Sequence, residues 1–482
     1  MITGAAILHA SGGAVQVLST NQVSSQTGPY YRYEPSSAFS GNTWVHSWFE
    51  FPPGDPNGAQ GYTSVSADGS NQWSVPLNQS TGGGPIQDLN LTSMPSGGFV
   101  LVGLGLGYNL SLKTSTDGQN WSAVSYPLGS TQVDYPSVAV ASNGVIGIGY
   151  DSLTQLETGS GFSSVFSCNG GTTWTQQYQV TSTLNKIYGR LVAVGNTFYV
   201  LIADTTYAPT FQLDVYQFSA SGCPSGGDLW SLTAVPNYYD GPNSASPEQY
   251  CNTTPGSQNY GDCGNIHYSV HIDARATPAG WAVLYPVGRS DNPDINNFNF
   301  CTQSGGCSTI SYSTDLFAGG ITTSPNGDMW LSMLTYSGAP SRNLPLQQIA
   351  IYCTAPGNCP ANGSPGPMID PTWWTYWAAG TNEAQNRCPG DACFSAGDYM
   401  RTAMSTSTRA TLPFILGDFS YATKLMQSFI QDPATGLAPV PGLSVGPAME
   451  FGSNTTYNGT LTSAQLARRT PTYGPSAVAG LK

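Results

Sequence analysis

A turn pattern recurs along this sequence at a nearly constant spacing, and it limits the folds that the chain can adopt. Each copy reads Ser-x-Asp/Asn-Gly, then two or three residues, then Trp. The four copies are Ser66–Trp73, Ser115–Trp121, Ser167–Trp174 and Ser324–Trp330. When Trp230, Trp281 and Trp377 are added, consecutive tryptophans of the series lie 47 to 56 residues apart. A period of about 50 residues indicates one structural unit repeated along the chain.

The segments between these turns predict an all-β protein. Short runs rich in β-branched residues, such as 189–204 and 280–288, are bounded by Gly, Asn, Asp or Pro, which is typical of short antiparallel strands. A four-stranded propeller blade has about the observed period. We therefore expect a single β-propeller of about seven four-stranded blades, with six or eight blades as the alternatives.

The end of the chain lacks the repeat. We expect the propeller to span residues 1–420 and a mostly irregular C-terminal extension, residues 421–482, to pack on it or to contact a neighbour. The one predicted helix is Tyr421–Asp432, where apolar residues are spaced at a helical period. They are Leu425, Met426, Phe429 and Ile430.

The composition argues against several classes of function. Only 9% of the 482 residues are charged and the net charge is −13, so a nucleic-acid backbone would be repelled. No apolar run has the length of a membrane span, and Phe99–Leu106 is predicted to be a buried strand. The first residues lack the basic region of a signal peptide, so we expect the numbering to begin after processing. No sequence motif predicts a cofactor or a metal site.

The cysteines and the glycosylation sequons together predict an exported, extracellular or cell-surface protein. Four pairs are close in sequence and two cysteines remain, as in an oxidised chain, whereas a metal site would need CxxC or Cys/His clusters. The expected pairs are Cys251/Cys263, Cys301/Cys307, Cys353/Cys359, Cys388/Cys393 and Cys168/Cys223. The eight Asn-x-Ser/Thr sequons lie at Asn78, Asn90, Asn109, Asn120, Asn252, Asn362, Asn454 and Asn458.

The recurring turns resemble the Asp box, S-x-D-x-G-x-x-W, of sialidase-like (BNR-repeat) propellers. A second resemblance is Gly397-Asp398-Tyr399, followed by an apolar strand that ends at Asp418, which is similar to the GDY blade of secreted sialidase-like proteins. Together they cover roughly residues 30–419. In that family the box is a structural turn distant from the active site, so the resemblance implies that these Asp residues mark the scaffold.

The same resemblance implies a set of candidate catalytic residues. A sialidase site needs three arginines on a carboxylate, a Tyr nucleophile with a Glu partner, and an Asp acid. Tyr30–Pro35, which contains Arg32, partly resembles the family's early Arg-Ile-Pro motif. The other candidates, which follow in a suitable chain order, are Asp55, Glu248, Arg275, Arg342 and Tyr376.

A different candidate site comes from strand periodicity. In the run 266–275, alternate residues place His267, His271, Asp273 and Arg275, together with Ser269, on one face of a strand. The opposite face carries Tyr268, Val270, Ile272 and Ala274, which predicts a core face. The polar face is either a pocket with acid–base capacity or a strand face in solvent.

These observations lead to three hypotheses about function. The first is an extracellular sialidase-like propeller that recognises or hydrolyses carbohydrate, such as a cell-surface glycan, and whether it is a glycoside hydrolase-like enzyme stays open. The second is a non-catalytic cell-surface protein, an adhesin, S-layer-associated unit or filament subunit, that binds copies of itself or other surface proteins. The third is another secreted hydrolase that uses the His267–Arg275 face on a small anionic substrate.

Overall fold

A computed structural model of the chain describes residues 8–10, 13–23, 31–51, 58–67, 72–155, 158–182, 189–204, 212–225, 229–233, 272–289, 292–304, 306–311, 316–323, 329–336, 346–353, 403–406, 409–417 and 423–431. Within these residues the regular secondary structure is almost entirely β-strand. The one helical element among them is the single 3-10 turn Thr81–Gly83.

The strands of the described residues form seven antiparallel sheets. In chain order, β1 (Leu8–Ala10) and β2 (Gly13–Gln22) are followed by a four-stranded sheet of β3 (Tyr31–Ser40), β4 (Thr43–Phe51), β5 (Gln60–Ser66) and β6 (Leu77–Asn78). The next sheet has three strands, β7 (Gln87–Ser93), β8 (Phe99–Leu104) and β9 (Leu110–Ser115).

Two four-stranded sheets come next. The first contains β10 (Val133–Val140), β11 (Ile146–Gln155), β12 (Thr158–Ser167) and β13 (Tyr178–Gln179). The second contains β14 (Arg190–Val194), β15 (Thr197–Asp204), β16 (Gln212–Ser219) and β17 (Ser231–Leu232).

Three sheets complete the described chain. A four-stranded sheet contains β18 (Asp273–Thr277), β19 (Gly280–Arg289), β20 (Asn292–Thr302) and β21 (Gly306–Ser311). A three-stranded sheet contains β22 (Leu316–Thr323), β23 (Met329–Tyr336) and β24 (Leu346–Cys353). The last strands are β25 (Ala403–Thr406), β26 (Arg409–Gly417) and β27 (Thr423–Gln431).

The last sheet joins both ends of the described chain. Its strand order is β1-β2-β27-β26-β25, so β2 adds to the free edge of β27, with Thr20 opposite Ser428. The predicted helix Tyr421–Asp432 is therefore wrong. Paired apolar residues are compatible with either a helix or a strand. The segment forms a strand because its backbone pairs with β2 and β26 on its two sides. The boundary predicted at residue 420 consequently falls inside this sheet, and residues 432–482 lie outside the described residues.

Successive sheets contact one another through their first strands. β3 contacts β7, β7 contacts β10, and the series continues through β14, β18 and β22. β25 contacts both β22 and β3. Meanders that meet along their first strands in this way have the arrangement of propeller blades.

Five polar side chains, which we call the inter-strand links, connect neighbouring first strands. The first strand of a sheet has one unpaired edge, and each link satisfies a buried backbone group there. Three links accept a backbone N–H: Ser36 Oγ from Leu91 (3.1 Å), Ser137 Oγ from Leu191 (3.0 Å) and Asp273 Oδ2 from Ile321 (2.9 Å). Two links donate to a backbone carbonyl: Asn90 Nδ2 to Pro136 O (2.9 Å) and Arg190 Nε to Ile272 O (2.7 Å). All five side chains are buried.

The hydrophobic core is divided into layers between sheets. One layer combines residues of the β3–β6 sheet, such as Val45 and Val65, with Leu89, Phe99 and Leu101 of the β7–β9 sheet. Further layers lie between the following sheets in the same way. The sheets β7–β9, β10–β13 and β14–β17 each contribute to two such layers and are therefore buried on both faces.

Two of the recurring turns lie within the described residues, and in each the Asp or Asn side chain accepts backbone hydrogen bonds. In the first, Asp117 Oδ1 accepts the N–H groups of Gln119 (2.8 Å) and Asn120 (2.7 Å), and Gly118 has a φ of 77°. Trp121 packs in the layer between its own sheet and the preceding one. In the second turn, Asn169 Oδ1 accepts the N–H of Thr173 at 2.9 Å. These turns therefore fasten neighbouring sheets.

Two of the expected disulfides are confirmed. Cys168–Cys223 connects the turn after β12 to the segment after β16, and so joins two neighbouring sheets. Cys301–Cys307 closes the β20–β21 hairpin. Cys353 ends β24, and its side chain lies outside the description. The same is true of Cys251, Cys263, Cys359, Cys388 and Cys393, which lie outside the described residues.

Candidate functional site

The first strands of the successive sheets line a common space, and this space has two ends. The start mouth is the end at which the first strands begin, and it also carries the turns between second and third strands. The hairpin mouth is the end at which each first strand turns into the second. In propellers, ligands bind at such mouths because the loops and strand ends of several blades converge there.

Most of the predicted catalytic residues cannot be placed at either mouth. Asp55, Glu248, Arg342 and Tyr376 lie outside the described residues, as do His267 and His271 of the predicted polar face and the Gly397–Tyr399 segment. Arg32 begins the start-mouth end of β3, where its backbone pairs with Glu50. Arg275 lies in β18.

The backbone positions of Arg32 and Arg275 can be compared along their strands. Asp273 and Ser36 are links at the same position of their strands, so Arg275 lies level with Ala38, and both residues line one cavity. Arg32 precedes Ala38 by six residues, which is roughly 20 Å of extended strand. The backbones of the two residues therefore lie at different levels of the first strands, and the Arg32 side chain lies outside the description.

Asp273 is a structural contact within the predicted polar face. Its side chain is buried, one carboxylate oxygen accepts the N–H of Ile321, and the other pairs with Arg275 at 3.1 Å. The core face predicted for this strand is confirmed at Ile272 and Ala274, which belong to a buried cluster. The interpretation of Asp273 as solvent-facing is wrong, because its position in the strand places it at the junction with β22.

Backbone strain within the described residues is concentrated at the start mouth. The three non-glycine residues with left-handed backbones are Asp88 (φ 52°), Tyr108 (φ 63°) and Tyr135 (φ 51°). Asp88 and Tyr135 lie in bulges near the starts of β7 and β10, and Tyr108 lies in the β8–β9 turn. A left-handed backbone is unfavourable for a tyrosine, and such strain is typical of functional sites.

An arginine–tyrosine pair lies directly behind this strained surface. Arg190, the first residue of β14, is 1% exposed and its Cζ lies 3.8 Å from the ring centroid of Tyr135. Its Nη2 also donates to the Tyr135 hydroxyl, while Nε donates to Ile272 O. Arg190 thus fixes the strained tyrosine of β10 to the start of β18.

Carboxylates surround the same mouth. Asp88 and Asp134 are half-buried, and Asp134 Oδ1 accepts the N–H of Tyr135 at 2.8 Å. Glu50, Asp151 and Asp214 are buried at the corresponding ends of other strands. Carboxylates can accept hydrogen bonds from sugar hydroxyls and can transfer protons during catalysis.

Sequence reasoning missed these start-mouth residues, although one signal for them was present. Tyr33-Glu34-Pro35-Ser36 and Asp134-Tyr135-Pro136-Ser137 are two copies of one strand-start pattern, and their serines make equivalent links. Arg190 has no comparable motif. Its signal is only that a guanidinium opens the apolar run 190–194.

One predicted glycosylation sequon is inaccessible in the folded protein. Asn90 is 1% exposed and its amide donates to Pro136 O, so a glycan cannot be attached there without breaking an inter-strand link. Asn120 is exposed, while Asn78 and Asn109 are half-buried. Asn252, Asn362, Asn454 and Asn458 lie outside the described residues.

In the described part of the chain, no group of three or more His, Cys, Asp or Glu side chains is arranged to hold a metal ion. The same residues contain no helix with the length and apolar character needed to span a membrane.

Comparison with known proteins gives remote structural similarity. No family model and no curated protein sequence matches the chain. A protein of unknown function from Dyadobacter fermentans is 11% identical, with a TM-score of 0.45, over 88% of this chain and all of that one. An α-L-arabinanase of Penicillium chrysogenum, complexed with arabinobiose, is 14% identical, with a TM-score of 0.41, over 69% of this chain and 98% of that one.

A Hadza microbial sialidase is a third similar structure. It is 9% identical, with a TM-score of 0.36, over 83% of this chain and 65% of the sialidase. With TM-scores below 0.5, these similarities assign neither a family nor an activity.

Proposed function

We propose that this chain is a secreted seven-bladed β-propeller that binds carbohydrate at its start mouth. The series of contacts between first strands, with β25 touching both β22 and β3, supports seven blades arranged in a closed ring. The two disulfides support export, because disulfides persist in oxidising compartments. The matching of the recurring turns to Asp boxes is part of the same proposal.

The observation that carries the proposed site is the strained cluster of Asp88, Tyr108 and Tyr135. It combines carboxylates with aromatic side chains, and Tyr108 O accepts the N–H of Val133 at 3.0 Å, which connects the β8–β9 turn to β10. Sugars are bound by this combination: the half-buried Tyr108 can contact their C–H faces and carboxylates can accept their hydroxyl groups, while Tyr135, which is 3% exposed, supports the surface from below. Arg190 holds Tyr135 rigidly, so little ordering is needed on binding.

Glycoside hydrolysis is a further part of the proposal. Most glycosidases use two carboxyl groups that flank the scissile bond, one as an acid and one as a base or nucleophile. Asp88 and Asp134 are half-buried at neighbouring strand starts, and we assign them as the carboxylates that touch the sugar. Glu50, Asp151 and Asp214 are buried more deeply and have supporting roles.

The test is binding to a glycan array, together with the release of fluorophore from a panel of fluorogenic glycosides. Asp134→Asn should weaken binding of the best ligand at least tenfold, about 1.4 kcal/mol, because a charge-assisted acceptor is lost. Asp117→Asn makes the same change of charge in a turn outside the start mouth and should leave binding unchanged. Equal binding by both variants would contradict this site.

The same measurements test the structural alternative. If the wild-type protein binds no glycan, releases no fluorophore and forms ordered assemblies by electron microscopy, the non-catalytic surface-protein hypothesis replaces the present one.

A further inference from the structure

The hairpin mouth contains a polar cavity of about 400 Å³. Its walls are the middle and later residues of six first strands, β3, β7, β10, β14, β18 and β22, together with residues of the hairpins that follow β7 and β10. Hydroxyl side chains contribute to the wall, among them Thr92, Ser93, Ser142 and Thr323. Arg275 is the one charged residue among the described residues that line it.

Hydrogen bonds to its own strand fix the Arg275 guanidinium. Its Nη1 donates to Asp273 Oδ1 at 3.1 Å and to Ala274 O at 3.2 Å. The Asp273 side chain is 2% exposed and is also fixed by Ile321 N, whereas the Arg275 side chain is 24% exposed. The buried carboxylate therefore orients a guanidinium whose exposed part faces the cavity.

The cavity wall is cross-connected before any ligand arrives. Ser40 Oγ accepts the N–H of Gly98 at 3.0 Å, which joins the first two hairpins of the series. Ser142 N donates to Gly195 O at 2.8 Å, and Asn143 Nδ2 donates to Ala220 O at 2.9 Å. A wall fixed in this way loses little conformational entropy on binding.

We propose that this cavity binds a small oxyanion, meaning a carboxylate, sulfate or phosphate group, on Arg275. A guanidinium matches the planar or tetrahedral oxygen pairs of these groups, and hydroxyls donate hydrogen bonds to the remaining oxygens. The volume equals that of roughly a dozen water molecules, which admits a small organic acid. The site is separate from the start mouth and does not depend on carbohydrate binding.

The test is isothermal titration of the full chain with sulfate, phosphate and citrate at low ionic strength. The wild-type protein should bind at least one of the three saturably, at one equivalent. Asp273→Asn should bind the anion as tightly as the wild type or more tightly, because the competing carboxylate is gone while the amide oxygen still accepts Ile321 N. The double variant Asp273→Asn/Arg275→Gln should bind at least tenfold more weakly.

The double variant also controls for misfolding, because it leaves no buried carboxylate without its arginine partner. Its circular dichroism spectrum should match that of Asp273→Asn. Lys113→Gln removes a cation that does not line the cavity and should bind like the wild type. The proposal is overturned if the wild type binds none of the three anions, or if the double variant binds as the wild type does. Asp134→Asn should retain anion binding, which separates this result from failure of the carbohydrate site.

Discussion

Asp117 and Asn169 occupy the same place in two turns of the series, and they show what the turn requires of one residue. Each side-chain oxygen accepts backbone N–H groups two to four residues ahead, so a charge is not needed for the geometry. The charge has a different consequence at Asp117. Hydrogen bonds from the backbone N–H and then the side-chain amide of Asn120 lower the pKa of Asp117 to about 2.

This pKa predicts a contribution to stability that acid removes. Because the folded-state pKa lies below the unfolded value of about 4, the contribution is present above pH 4 and is lost as the pH falls towards 2. The side chain is near the surface, so we expect only about 1 kcal/mol at pH 7. Asp117→Asn should flatten the dependence of unfolding free energy on pH between 4 and 2, as measured by urea titration. An unchanged slope would show that the carboxylate is unperturbed.

The positions of the strands were predictable from the sequence, whereas the contacts between the edges of neighbouring sheets were not. Runs such as 189–204 predicted strands because local composition is enough to favour them. The inter-strand links were not predictable, since Ser137 and Leu191 are joined only when two sheets lie side by side. β27 was misassigned for the same reason: its partner β2 comes from the other end of the described chain.

The links predict a measurable loss of stability. Ser137→Ala would leave the buried N–H of Leu191 without an acceptor, and we expect a cost of about 1–3 kcal/mol. Ser93→Ala, which removes a half-buried hydroxyl at the end of β7, should change stability by less than about 0.5 kcal/mol. Denaturant unfolding of the two variants measures the difference. If Ser137→Ala is as stable as Ser93→Ala, the links do not stabilise the junction.

At the scale of the whole molecule, the sequence repeat predicted the scaffold but not the candidate site. A 50-residue period is a property of each unit, so it can be read locally from turns such as Ser115–Trp121. The start-mouth cluster is assembled from positions as distant as Asp88 and Arg190, and only Tyr135 lies in a pattern that recurs in the sequence. Only the stacking of sheets places Asp88, Tyr135 and Arg190 together, because they come from the starts of three different first strands.

The pairing of β2 with β27 joins the first and last strands of the described chain in one sheet, and closure of the proposed ring would depend on it. β2 supplies backbone partners along Gln16–Gln22, and without them one edge of β27 would carry unpaired N–H and C=O groups. A variant lacking residues 1–22 should therefore unfold at lower denaturant concentration and associate through this edge, as seen by size-exclusion chromatography. A synthetic peptide of residues 13–22, added in trans, should reverse both effects, whereas a scrambled peptide should not. If the shortened protein is monomeric and as stable as the full chain, β2 is not needed for stability and the contacts of β25 with β3 and β22 are sufficient.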